Sequence, residues 1–184
     1  MSRNMFESIL MALTFTDIEP PSFVDHFWEV RQMISEWNIN MKNVFIPSWI
    51  SCLDESMSIW FGRFTCPGWV FVPRKPHPFG NEYHSICCGL SGIMCAIELV
   101  EGKDRPKELG KPDGYSKGGA TVGLLLRLTK SLYHTGKCVI LDSGFCVLKG
   151  LVELRKVGVF ASAVTKKPRF WPKYANGQAI DEKM

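Results

Sequence analysis

Apolar residues recur along this chain with two periods, and each period predicts a different kind of element. Near the start, Phe6, Ile9, Leu10 and Leu13 share one helical face, which predicts a helix over 4–13. Pro20-Pro21 then interrupts the chain. Beyond it, Phe23, Phe27, Val30, Ile34 and Trp37 follow at spacings of four, three, four and three, an amphipathic stripe expected to pack as core. Pro21 suits the first position of that second helix, and Asn38 to Asn40 offer its stop.

From residue 49 the pattern turns strand-like. Residues 49–61 predict a first strand with Asp54 inside it. Gly62 to Phe79 is a long connection rich in proline, cations and aromatics. Tyr83–Cys88 and Ile93–Val100 predict two more strands, joined through Leu90-Ser91-Gly92 as an antiparallel hairpin. Glu101 to Gly119 is polar, with Pro106, Pro112 and Gly102, Gly110, Gly114, Gly118 and Gly119, and predicts a loop. Val122, Leu125, Leu128 and Leu132 mark a helix with Thr121 as its N-cap. Cys138–Leu141 is a short continuous apolar run, the mark of a strand buried on both faces. A helix over Phe145–Lys156 stops near Gly158, and Val159–Thr165 is a last strand.

The order β-β-β-α-β-α-β after a short helical segment is that of an α/β, ribonuclease H-like mixed sheet, with right-handed crossovers between its later strands. It divides the chain into a helical segment over 1–48, the first part of the core over 49–165, and a basic tail over 166–184 where an inserted domain would begin. In that arrangement the first predicted strand lies beside the one over 138–141.

That adjacency gives meaning to two acids. Asp54 follows the apolar run Ile50-Ser51-Cys52-Leu53, and Asp142 follows Cys138-Val139-Ile140-Leu141. A charge in such a place is costly unless something compensates it. Two carboxylates brought together can hold one Mg²⁺ or Mn²⁺, which prefer oxygen ligands, and two-metal phosphoryl transfer adds a third acid. The competing readings are ordinary ones. Asp54 can be a strand acid facing water, and Asp142 can cap the helix beginning near Phe145. Strand alternation sends Glu55 to the face opposite Asp54.

Composition narrows the partners without choosing one. The chain has 184 residues, 46% hydrophobic and 22% charged, with a net charge of +4, which suits a globular domain and permits a polyanionic partner. Seven cysteines include no Cys-x-x-Cys pair. They are expected to be small buried hydrophobes in a reducing compartment, nuclear or cytosolic, and with His77 and His84 they match no standard zinc spacing. No apolar run approaches a membrane span, and the start, Met1-Ser2-Arg3-Asn4, lacks the form of a signal peptide. Gly118-Gly119 before a helix has no Gly-Lys-Ser or Gly-Lys-Thr after it, which disfavours a P-loop. Ser143 and Cys146 near His134 have no recognisable base or oxyanion hole.

Several segments together resemble the piggyBac-type transposases. They are Leu53-Asp54-Glu55-Ser56-Met57, Gly62-Arg63, Pro73-Arg74-Lys75-Pro76-His77-Pro78-Phe79-Gly80, Glu101-Gly102-Lys103, Leu141-Asp142, and Val157-Gly158-Val159-Phe160-Ala161 followed by Thr165-Lys166-Lys167. The resemblance runs from about Phe6 to Lys173. It implies a ribonuclease H-like fold, a DNA partner (transposon ends in intact relatives), and three aspartates working with Mg²⁺, of which Asp54 and Asp142 match the first two. The departures are specific. Val100 replaces the family's aromatic before Gly-Lys, Asp142 is followed by Ser143-Gly144 rather than Asn-Phe or Asn-Tyr, and Met184 precedes the segment that carries the third acid. The family's cysteine-rich DNA-binding module also lies beyond the matched region.

Arg74, Lys75 and His77, and the tail Lys166, Lys167 and Arg169 with Phe170 and Trp171, are the expected DNA contacts. Cations neutralise phosphates and interleaved aromatics stack on bases. The plainer reading of both is a solvated basic loop. The sequence therefore supports two functions: a Mg²⁺-dependent strand-transfer or nuclease core, incomplete in this chain, or a catalytically inactive, domesticated DNA-binding or protein-interaction module of the same ancestry. Oligomeric state is open, a homodimer among the choices.

Overall fold

The computed structural model describes residues 2–13 and 16–166. Its elements are helices α1 (Arg3–Ala12) and α2 (Trp28–Val44), strands β1 (Ile50–Ile59), β2 (Trp69–Phe71), β3 (Phe79–Cys88) and β4 (Met94–Leu99), helix α3 (Ala120–Leu128), strand β5 (Cys138–Leu141), helix α4 (Leu148–Lys156) and strand β6 (Phe160–Ala163). Short 3₁₀ turns occupy much of the polar stretch between β4 and α3. The strands pair in the order β2-β3-β1-β5-β6, with β4 on β3. This is the predicted mixed α/β sheet of ribonuclease H-like order, with one extra short strand. Two compact units divide the chain. The first takes in the chain up to Phe45, Glu55–His84 and Ala96–Gly110; the second takes in Ile46–Asp54, Ser85–Cys95 and the chain from Lys111 on.

In the second unit β5 is the organising strand. Val139 and Leu141 are fully buried, while Cys138 and Ile140 are half-buried, so one face of β5 is core and the expected burial on both faces is met only in part. It pairs in parallel with β1, Ile50 opposite Cys138 through Leu53 opposite Leu141. On its other side it pairs in parallel with β6, Cys138 opposite Phe160 through Leu141 opposite Ala163. Val122, Leu125, Leu128 and Leu132 are buried as their spacing predicts, together with Leu53, Ile86, Leu154 and Val159. The α3–α4 contact is close because Gly150 has no side chain. A Cβ there would lie 2.6 Å from Leu125 Cδ1. α4 ends as predicted: Gly158 turns left-handed at φ 72°, its N–H donates to Arg155 O and that of Val159 to Leu154 O, satisfying the last carbonyls. The β3–β4 hairpin closes with Gly92 N–H on Cys88 O and Cys88 N–H on Ile93 O.

In the first unit α2 begins at Trp28, not at Pro21. The cause is Asp25, whose Oδ1 accepts the Phe27 N–H at 3.0 Å and whose carbonyl accepts that of Trp28. The helix also runs past Asn38 to Val44. Asn38 points its amide at β4 instead, donating to Ile97 O and accepting the Ile97 N–H, both at 2.9 Å. The Phe23-to-Trp37 stripe is core only in part: Phe27 is buried and Trp37 is 45% exposed. β2 was hidden in the expected connection. Its three residues pair antiparallel with the start of β3, Trp69 opposite Asn81 and Phe71 opposite Phe79, which also moves the start of β3 from Tyr83 to Phe79. Two caps differ as well. Gly119, not Thr121, is the N-cap of α3, and α4 starts at Leu148, three residues after Phe145.

Candidate metal site and nucleic-acid interface

Asp54 and Asp142 each follow a residue of the last registered β1–β5 pair, Leu53 opposite Leu141. Parallel neighbours lie about 4.8 Å apart, so the two residues are neighbours just past the last registered pair; β5 ends there, while β1 runs on to Ile59. Ser51 and Leu53 are buried and Asp54 is exposed, as alternation along β1 requires. Asp142 is half-buried. It is not the N-cap residue of α4, which is Val147; its carbonyl instead accepts the Phe145 N–H at 3.0 Å in the turn after β5. Two hard carboxylates in this placement suit Mg²⁺ or Mn²⁺ and do not suit a soft metal.

Glu55 belongs to a second group, which the sequence did not disclose. Its carboxylate, the Glu82 carboxylate and the His84 imidazole offer three ligand atoms within 4.8 Å of one another. Glu82 and His84 lie two apart on β3 and therefore share a face. His84 Nε2 is 3.3 Å from Glu82 Oε1. Arg74 forms an ion pair with Glu55, and Lys75 reaches its carboxylate at 3.7 Å and its carbonyl at 2.8 Å. Two cations already balance this cluster, so its first role is a charge network between strands. Finding it needed the β1–β3 pairing, which no local pattern carries.

The expected DNA contacts are distributed unevenly. The Arg74 side chain is 64% exposed despite its ion pair, whereas that of Lys75 is 21% exposed. His77 and Lys166 are exposed. Lys167 and Arg169 lie outside the described residues. All seven cysteines are free. Cys88 and Cys95 are buried as expected, but Cys52 is exposed. The Ser48 hydroxyl and amide, with Ser91, pull the Cys88 thiol down to about 6, while burial pushes Cys95 up to about 11. No helix among the described residues is long and apolar enough to cross a membrane.

A mixed sheet of this order, with acids ending its parallel pair, defines a ribonuclease H-like domain. The chain belongs to the transposase family described as Transposase IS4, whose family model matches residues 1–183. Among solved structures it resembles a piggyBac transposase determined as a synaptic complex with hairpin DNA. The TM-score is 0.74 at 17% identity, over 96% of this chain and 37% of that one. The chain thus spans little more than a third of that relative, and the likeness is one of fold. No curated protein matches it.

Proposed function

We propose that this chain is the first part of the catalytic core of a piggyBac-type DNA transposase, in which Asp54 and Asp142 hold a divalent metal. The observation that supports the reading is the β1–β5 register, whose last pair is Leu53 opposite Leu141, the residues that directly precede Asp54 and Asp142. When bound, Mg²⁺ or Mn²⁺ lowers the pKa of an attacking water or 3′-hydroxyl and stabilises the leaving oxygen of the phosphodiester. The chain's own part is to fix two of the three carboxylates, Asp54 within β1 and Asp142 directly after β5, so that little reorganisation remains when the third joins them. Arg74, Lys75, His77, Lys166, Lys167 and Arg169 supply phosphate contacts that orient DNA without reading its sequence. A DNA substrate makes the nucleus its place of work.

A second reading has one observation in its favour. Ser143-Gly144 replaces the Asn-Phe or Asn-Tyr that the piggyBac-type resemblance leads one to expect after the second acid. On that reading the chain is an inactive DNA-binding or protein-interaction module of the same ancestry. A plasmid-nicking assay with Mg²⁺ or Mn²⁺ separates the two. Metal-dependent nicking abolished by Asp54→Ala and by Asp142→Ala identifies an active core. Nicking that is absent, metal-independent or indifferent to both substitutions identifies the inactive module.

A further inference from the structure

Between Ile59 and Phe79, within the first unit, an unusual amount of aromatic surface faces water. Trp60 is 50%, Phe61 82%, Phe64 95% and Phe71 52% exposed. Phe61, Phe64 and Phe71 belong to one contiguous group. Phe61 and Phe71 lie against Phe79, with centroids 6.3 and 5.1 Å apart, and Trp69 stacks on the same ring at 6.1 Å. Arg63 joins the remaining ring to this group: its guanidinium is 5.8 Å from the centroid of Phe64 and 5.7 Å from that of Trp69.

The array is also held in place. The Trp60 indole N–H donates to Thr65 Oγ1 at 2.9 Å, and that of Trp69 to Trp60 O at 3.1 Å. Gly68, the residue before Trp69, donates its N–H to Asp104 Oδ2 at 2.7 Å. Contiguous exposed apolar surface of this kind marks a place of interaction. Its charge indicates which kind. Arg63 sits among the rings, Arg74 and His77 are exposed nearby in sequence, and the acids Glu55 and Asp104 are engaged by Arg74 and Lys75 and by the Gly68 N–H. Aromatic rings interleaved with cations suit a strand whose bases stack and whose phosphates are negative.

We propose that Phe61, Phe64, Trp69 and Arg63 form a stacking platform for unpaired nucleobases, so that this part of the chain binds single-stranded DNA. The proposal rests on the DNA reading above and adds to it a polymer form and a binding mode. The test measures fluorescence anisotropy with a labelled 20-mer of dT and with a 20-base-pair duplex, using the full chain, the Phe61→Ala/Phe64→Ala variant and Phe64→Ala alone. Phe64 is almost fully exposed, so its removal leaves the fold intact.

The double variant is expected to lose about tenfold or more in dT affinity, in keeping with the loss of stacked bases. The slope of log affinity against log salt stays unchanged, because no cation is removed, and duplex affinity stays within about twofold of wild type on the same ground. Duplex binding with dT affinity unchanged by the substitutions overturns the platform and leaves the DNA reading standing. Equal losses on both polymers do the same. Binding to neither polymer overturns both. Self-association of the wild type that the double variant abolishes, with dT affinity unchanged, assigns the patch to protein contact and overturns the platform.

Discussion

Arg31 is the residue on which the first unit's polar interior turns. Its guanidinium donates to Asp25 through Nε and, at 2.9 Å, through Nη2, and to both oxygens of Glu101 at 3.0 and 2.5 Å. Arg105 completes the group, donating to Glu101 Oε1 at 2.7 Å and to Gly110 O at 2.9 Å. Two acids and two bases balance, which is what makes a buried carboxylate such as Asp25 tolerable. The Arg31 hydrogen bond holds the Asp25 carboxyl below its ordinary value, against the opposing effect of burial. Its contribution to stability is therefore present above the unfolded pKa of about 4 and is lost as pH falls through the lowered folded value. Asp25→Asn is expected to cost about 2 kcal/mol at pH 7 in urea denaturation. The gap between variant and wild type should close on acidification below about pH 4. A gap that stays constant to pH 2 would show that the ion pair does not carry the effect.

Among the elements, those made by one period of side chains were legible and those made by pairing were not. β5 could be read as a strand because it is four consecutive apolar residues, although only its Val139 and Leu141 face is fully buried. α3 could be read because Val122, Leu125, Leu128 and Leu132 keep helical spacing. β2 could not, because three residues in a proline-rich stretch become a strand only through Phe79, Gly80 and Asn81 opposite them. The start of α2 is not legible because the proline signal at Pro20-Pro21 competes with the side chain of Asp25, held by Arg31, whose other partner Glu101 lies far along the chain. Gly80 is the element-scale test. A Cβ there would lie 1.8 Å from Ser58 O, at φ 144°, so the backbone of β1 must move to admit it. Gly80→Ala should cost about 3 kcal/mol and Gly92→Ala about 1 kcal/mol, since Gly92 is left-handed with nothing within 4 Å of its Cβ position. Equal melting temperatures for the two variants would contradict the close β1–β3 approach.

At the scale of the whole molecule, the candidate site was legible only through the fold. Asp54 and Asp142 are far apart in sequence, and each alone reads as an ordinary strand-end acid. The β-β-β-α-β-α-β order predicted that their strands are neighbours, and the observed pairing has β1 beside β5. The Glu55–Glu82–His84 group needed a register that the sequence does not state, so it went unseen. These two clusters make competing predictions for a divalent ion, and Mn²⁺ binding to the full chain, followed by electron paramagnetic resonance, distinguishes them. If Asp54 and Asp142 hold the ion, Asp54→Asn and Asp142→Asn each weaken Mn²⁺ binding by at least the roughly tenfold that losing even an indirect metal partner costs, while Glu55→Gln leaves it unchanged. Binding undiminished in both aspartate variants, or lost in Glu55→Gln instead, would contradict that assignment.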